Sequence, residues 1–102
     1  MIDSELLELA AKAAGISVWT DTDETVFTDN PNGVEVEWNP LTNDGDALRL
    51  AVKLEIDVCF GANYVIARGS VQMPTVNNAN NPYAATRRAI VRAAAEIGKA
   101  MT

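Results

Sequence analysis

The 102-residue chain contains no histidine and only one cysteine, Cys59. The absence of histidine removes the commonest general base, the commonest transition-metal ligand and the usual partner of a nucleophilic serine or cysteine. A single cysteine excludes an intrachain disulfide and a zinc site built from several thiolates. With Ile56, Val58 and Phe60 around it, Cys59 is interpreted as a strand thiol. Because the chain also has no glycine-rich phosphate loop, we expect neither an enzyme nor a cofactor.

Long apolar runs are missing as well. No run approaches the roughly 18 residues that a membrane span needs, and the acidic segment 1–8 is unlike the basic start of a signal peptide. We therefore expect a cytoplasmic protein without a membrane partner. Apolar residues make up 48% of the chain, which is ordinary for a packed domain, and the length suits one domain over residues 1–102.

Positive charge is scarce in the first part of the chain. Residues 1–57 hold thirteen acids and three bases, whereas residues 58–102 hold one acid and five bases. The net charge of −6 argues against direct nucleic-acid binding, because phosphate neutralisation by Lys and Arg supplies most of that affinity. A strongly acidic surface can instead occupy a basic surface of a protein partner and steer its association.

Three helices are predicted from capping residues and helical spacing. The first covers residues 4–14, the second begins after a cap at Asn43 or Asp44 and runs to about Leu54, and the third covers residues 83–101. Their predicted buried stripes are Leu6, Leu9, Ala10 and Ala13 in the first, Ala47, Leu48, Ala51 and Val52 in the second, and Ile90, Ala94, Ile97 and Met101 in the third.

Two hairpins are predicted between these helices. Residues 25–29 and 34–38 flank a turn of Asn, Pro, Asn and Gly, and residues 56–60 and 64–68 flank a second turn, with a further short strand at 71–73. Two hairpins and three helices in the order αββαββα predict an α+β fold. We expect a small sandwich in which the hairpins form one antiparallel sheet of four or five strands.

The first hairpin has a regular alternation in its second strand. Period two places Val34, Val36 and Trp38 on one face and Glu35 and Glu37 on the other. The first face is predicted to be buried and the second to be wet, which favours an antiparallel sheet. Whether the helices lie on one or both faces of the sheet stays open.

Two segments carry a resemblance to a known family. Residues 38–52, WNPLTNDGDALRLAV, and residues 85–94, ATRRAIVRAA, resemble small phage and prophage proteins described as having a phage ABA sandwich domain. The first segment is also similar, more distantly, to NinX-type phage accessory proteins. The resemblance covers most of the chain and implies a phage or prophage origin, a bacterial host cell, an α/β sandwich with helices on both sides of a sheet, and no established enzymatic activity. It assigns no ligand residues.

The Trp38–Asn39 corner is the first candidate site. An indole beside a polar amide at the end of a strand could stack on a base or grip a peptide. The alternative is structural: Trp38 continues the buried face of its strand, and Asn39 ends that strand together with Pro40.

The start of the last helix is the second candidate site. Arg87, Arg88 and Arg92 could hold a phosphate or carboxylate there, with Tyr83 as a stacking surface. In the alternative interpretation Arg88 and Arg92 are solvated, and Arg92 pairs with Glu96 one turn later.

Acidic residues form the third candidate. Asp21, Asp23 and Glu24, joined by Asp44 and Asp46, could gather around a hard cation, but the spacing of an EF-hand loop is absent. We therefore interpret Asp21, Asp23 and Glu24 as a solvated acidic surface that does not bind a metal. Glu35 and Glu37 extend this acidic surface.

The function expected from the sequence is that of a phage or prophage accessory binding protein without catalytic activity. Its partner would be a host or phage protein, and it could act as an acidic inhibitor of a host-defence or nucleic-acid-acting protein. One alternative is a small-molecule protein that binds a nucleotide or other anion at the start of the last helix. Another alternative is a purely structural subunit, and a homodimer through sheet edges and an apolar hairpin face is a further expectation. Ordering of the loop 77–81 on binding stays open.

Overall fold

A computed structural model describes residues 2–77 and 81–101 of the chain. Its elements are α1 (Asp3–Ala14), β1 (Trp19–Thr20), β2 (Val26–Asp29), β3 (Glu35–Glu37), α2 (Asp44–Leu54), β4 (Asp57–Phe60), β5 (Tyr64–Arg68), β6 (Thr75–Asn77) and α3 (Pro82–Ala100). The fold is α+β with three helices, as the sequence predicts. A helix followed by three strands occurs twice before α3. The middle of the predicted 77–81 loop, residues 78–80, lies outside the described residues.

Helix α3 lies at the centre of the molecule and packs against α1, α2, β5 and β6. Pro82 occupies its first turn, and the Asn81 side chain accepts a hydrogen bond from the Ala84 N–H at 3.0 Å. Its buried residues are Ala85, Ala89, Ile90, Val91, Ala93, Ala94, Ala95 and Gly98. The predicted stripe is wrong at its end, because Met101 lies past the helix and is 56% exposed. Within the described ranges, no helix combines the length and apolar character needed to cross a membrane.

Helix α1 ends at Gly15, which adopts the left-handed conformation with φ 71°. Its buried residues are Ser4, Leu7, Ala10, Ala11 and Ala14. Of the predicted stripe, only Ala10 is fully buried. The buried face is shifted from the predicted stripe, because Leu7, Ala11 and Ala14 take core positions while Leu6 and Leu9 are only half-buried.

Helix α2 begins where the sequence predicts. The Asn43 side chain accepts a hydrogen bond from the Asp46 N–H at 2.9 Å and caps the first turn. Leu50 is buried together with Ala47 and Ala51. The predicted stripe is wrong for Leu48 and Val52, which are 64% and 70% exposed, because no described element covers that side of α2.

The first sheet has the strand order β1-β2-β3, and both pairings are antiparallel. The predicted turn is present, with Gly33 at φ 78°. The Trp38 side chain is buried, and the backbone N–H of Trp38 donates to the Val26 carbonyl at 2.9 Å. The prediction that Val34 and Val36 are buried is wrong: their side chains are 56% and 37% exposed, and Val36 borders an open cavity between the first sheet, the end of α1 and α2.

The second sheet has the strand order β4-β5-β6, again antiparallel throughout. Its third strand is Thr75–Asn77 and not residues 71–73, because residues 69–74 form the connection between β5 and β6. The expected single sheet of four or five strands is therefore replaced by two three-stranded sheets in the described part of the chain. The first hairpin, β2-β3, pairs with β1, and the second hairpin, β4-β5, pairs with β6.

Candidate functional site

A groove of about 700 Å³ runs between α2, β4 and the start of α3. We call it the apolar groove, and its walls are formed by Leu48 and Val52 of α2, Val58 and Phe60 of β4, and Tyr83 of α3. Four of these side chains are largely exposed: Leu48 by 64%, Val52 by 70%, Phe60 by 69% and Tyr83 by 71%. Four of the twelve exposed large hydrophobic side chains in the described part of the chain therefore share one concave surface.

The local structure explains why these side chains converge. Leu48 and Val52 are four residues apart on α2 and share one helix face. Val58 and Phe60 are two residues apart on β4 and share one face of the second sheet. Tyr83 projects from the first turn of α3. The floor beneath them consists of buried residues, among them Ala47, Ala51, Ile56 and Ile90.

The rim of the apolar groove is acidic. Asp44, Glu55 and Asp57 line it, and Arg87 is the one basic residue beside them. The Arg87 guanidinium is paired with Asp44 at 2.6 Å. Glu55 and Asp57 are exposed and form no ion pair within the described ranges. Arg68 of β5 lies directly opposite Asp57, so Asp57 has a cationic neighbour across the strand pair, whereas Glu55 has none in the register.

This groove was not predicted from the sequence, because Leu48 and Val52 were assigned to the core. One signal was present. The apolar residues of α2 (Ala47, Leu48, Leu50, Ala51, Val52 and Leu54) extend around more of the helix than a single packing partner can cover. Helix α2 already contacts α3 and α1, and neither of these helices covers the side that carries Leu48 and Val52.

The Trp38–Asn39 corner is integrated into the fold. Trp38 is only 6% exposed. The Asn39 N–H donates to Asp46 at 3.0 Å, and the Asn39 side chain accepts from the Leu41 N–H at 3.0 Å. These hydrogen bonds hold the corner against the start of α2. Trp38 also borders a separate cavity of about 550 Å³.

Arg87 fastens α3 to the corner before α2. Its Nε donates to the Leu41 carbonyl at 2.8 Å, and its Nη1 donates to Asp44 at 2.6 Å. Only 16% of the Arg87 side chain is exposed. The guanidinium thus has protein partners on two sides and lies within the wall of the apolar groove.

The other two arginines face different neighbours. Arg88 is 3.3 Å from Asp3 at the start of α1, whereas Arg92 is exposed. The expected partner of Arg92, Glu96, pairs with Lys99 at 3.5 Å. Arg87 and Tyr83 thus line the apolar groove, whereas Arg88 and Arg92, four residues apart on α3, share a different face of that helix.

The acidic residues before β2 make mainly local contacts. Asp21 accepts hydrogen bonds from the N–H groups of Asp23 and Thr25, both at 2.9 Å, and so closes the turn before β2. Glu24 has a positive φ of 63°. No group of three or more potential metal ligands forms among residues 2–77 and 81–101.

In the first sheet, Glu35 accepts a hydrogen bond from the Trp19 indole at 2.9 Å, while Glu37 is exposed. Both glutamates lie outside the apolar groove. The acidic surface of the first half of the chain and the acidic rim of the groove are therefore separate features.

The chain matches no protein-family model, no curated protein and no solved structure. The resemblance to phage ABA sandwich proteins accordingly stays a prediction. A function for this chain therefore has to be inferred from the groove itself.

Proposed function

We propose that this protein acts by binding another protein, without catalysing a reaction, and that the apolar groove is its binding surface. The observation that carries the proposal is the exposure of Leu48, Val52, Phe60 and Tyr83 on one concave surface. Single exposed hydrophobic residues are normal on protein surfaces, but a contiguous patch rimmed by polar residues marks an interaction site. A groove also offers a pocket in which an apolar anchor of a partner can be desolvated.

The charge of the rim indicates the kind of partner. Glu55 and Asp57 flank the groove, and the whole chain has a net charge of −6. A partner that places lysine or arginine beside an apolar anchor would gain both desolvation and electrostatic steering. Proteins that act on nucleic acids carry basic surfaces of this kind, which agrees with a phage accessory protein that inhibits a host-defence or nucleic-acid-acting protein.

The residue types support binding over catalysis. The chain has no histidine, and Arg87, the one arginine in the groove, is engaged by Leu41 and Asp44. The groove lining consists mainly of aliphatic and aromatic side chains. Such a surface can provide affinity and shape selection. The carboxylates of the groove lie on its rim, and Asp44 is paired with Arg87.

A selection experiment tests the proposal with a peptide library in place of the natural partner. The immobilised protein is presented with a library of short random peptides, and bound peptides are then measured against two variants. Val52→Asp places a carboxylate inside the groove, whereas Met73→Asp makes the matched change at a 63% exposed site outside it. Both sites are exposed, so both variants are expected to fold.

The proposal predicts peptides that combine apolar residues with lysine or arginine. Their affinity should fall about tenfold or more in Val52→Asp, which corresponds to about 1.4 kcal/mol, and should be unchanged in Met73→Asp. The added carboxylate would attract a basic peptide, so a loss must come from the groove surface. A library that yields no binder, or binders that are insensitive to Val52→Asp, would contradict the proposal.

A further inference from the structure

Strand β4 has an open edge. The strand order β4-β5-β6 leaves β4 with one neighbour, and no second strand pairs with it in the described part of the chain. An open edge presents unpaired N–H and C=O groups that can pair with another chain.

The register identifies which groups of β4 are unpaired. Antiparallel partners alternate between residue pairs that exchange hydrogen bonds and pairs that do not. The Gly61 N–H donates to the Tyr64 carbonyl at 2.8 Å, which makes this pair a bonded one. Counting back along the register, Cys59 is bonded to β5, and Val58 and Phe60 are not. The N–H and C=O groups of Val58 and Phe60 therefore point to the open side.

The same two residues carry the side chains of the groove wall. Val58 and Phe60 lie opposite Ala67 and Val65, which are 0% exposed, so all four side chains are on the face of the sheet that packs on α3. Helix α3 covers this face at β5 and β6, but β4 extends past it, and Phe60 is 69% exposed.

We propose that β4 accepts an extended segment of the partner protein as a fourth strand of the second sheet. This inference rests on the proposed function and specifies how the partner binds. A strand beside β4 would have its side chains alternate above and below the sheet, so that every second one enters the apolar groove towards Leu48 and Val52. The added strand would thus supply the cover that α2 lacks.

The rim charges favour a basic segment over a second copy of this chain. Residues 54–63 contain Glu55 and Asp57 but no lysine or arginine. Pairing β4 with its own copy would bring acidic edges together, at a cost in like-charge repulsion. A segment with apolar residues at alternate positions and lysine or arginine next to them complements both the groove and its rim.

Amide hydrogen exchange, followed by NMR, tests the inference with the tightest peptide from the selection experiment. In the free protein the amides of Val58 and Phe60 should exchange rapidly, whereas those of Cys59 and Gly61 are held by β5. Adding the peptide should slow exchange at Val58 and Phe60 about tenfold or more, because these N–H groups acquire acceptors.

A modified peptide and a protein variant test the same inference without hydrogen exchange. Two methylated peptides are compared, one with N-methyl groups at its odd-numbered residues and one at its even-numbered residues. Only alternate N–H groups of a strand face β4, so one of these peptides should lose binding and the other should keep it. On the protein side, Val58→Pro removes one outward N–H without removing a bond to β5. Because Val58 also lines the groove, Val58→Ala is its control, and Val58→Pro should weaken peptide binding about tenfold or more beyond the effect of Val58→Ala.

The outcomes separate this inference from the proposed function. If the peptide binds the groove and is sensitive to Val52→Asp, yet the amides of Val58 and Phe60 stay unprotected, the strand inference is overturned and the proposed function stands. If those amides are already protected without peptide and sedimentation shows a dimer, the occupant is a second copy and the inference is likewise overturned. If the library yields no peptide, both fail.

Discussion

Helices α1 and α2 both pack against α3, but the two contacts differ in how closely the helices approach. We call each contact a seam. The seam with α1 is built from small residues such as Ala10, Ala11 and Ala14, and a Cβ at Gly98 would overlap the backbone oxygen of Leu9. The seam with α2 buries less of the helix and leaves Leu48 and Val52 exposed beside it.

This difference explains why the contact between α1 and α3 is closed, whereas a groove remains beside the contact between α2 and α3. Small side chains let two helix backbones approach closely, so that little space remains between them. Large side chains that only partly face the neighbouring helix leave a groove instead. The order of a helix and three strands is the same in both halves, so side-chain size and not element order decides where a binding surface remains.

The largest expected effect separates the two faces of α2. Leu50→Ala should lower the free energy of unfolding by about 3 kcal/mol, because it removes a fully buried side chain and leaves a cavity. Leu48→Ala makes the same change on the groove face of the same helix, where it should cost less than about 0.5 kcal/mol. Chemical denaturation measures both. Equal losses at the two positions would mean that the Leu48 face is covered.

The next effect tests the closed seam. Gly98→Ala should lower the free energy of unfolding by about 2 kcal/mol, because α1 and α3 must separate to admit the new methyl group against the Leu9 backbone. Gly45→Ala in α2 is the matched control. There the nearest atoms are the side-chain ends of Arg49 and Asn43, at 3.2 Å.

The Arg49 side chain can move aside, whereas Asn43 Oδ1 accepts the capping hydrogen bond from the Asp46 N–H and can give way only slightly. Alanine favours a helix over glycine and offsets this crowding, so the denaturation midpoint of Gly45→Ala should stay close to that of the unchanged protein. If Gly98→Ala is as stable as the unchanged protein, α1 and α3 are not closely packed at Gly98. The α1–α3 contact would then not be tighter than the α2–α3 contact.

The helix ends and turns were predictable because their causes are local. An asparagine before a helix, a proline in its first turn or an Asn-Gly pair acts through neighbouring backbone groups. Asn43 caps α2, Pro82 begins α3 and Gly33 closes the first hairpin for these reasons. Each of these features was readable within a few residues.

Which helix faces are buried, and which strands pair in each sheet, could not be predicted from local sequence. Whether Leu48 or Leu50 is buried depends on how α2 is rotated against α3, which lies far along the chain. The pairing of each hairpin with β1 or β6 in preference to the other hairpin likewise depends on distant contacts. The candidate groove followed from both outcomes, since it needs an exposed side of α2 and an open edge of β4.

Arg87 was singled out from the sequence for its charge, yet its partners are 46 and 43 residues away. Its guanidinium ties the start of α3 to the corner before α2 and so fixes the width of the open seam. The Leu41 carbonyl is part-buried, and losing its donor leaves that oxygen without compensation. Asp44, in contrast, is 76% exposed, so water and salt screen its attraction to Arg87.

The smallest effect distinguishes these two contacts. Arg87→Met keeps the aliphatic stem but removes both donors, and it should lower the free energy of unfolding by about 1 kcal/mol. Asp44→Asn should cost less than about 0.5 kcal/mol, because it removes only the screened charge. Thermal or chemical denaturation in low and high salt measures both. If Asp44→Asn costs as much as Arg87→Met and the loss disappears in high salt, the ion pair and not the Leu41 hydrogen bond holds the open seam in place.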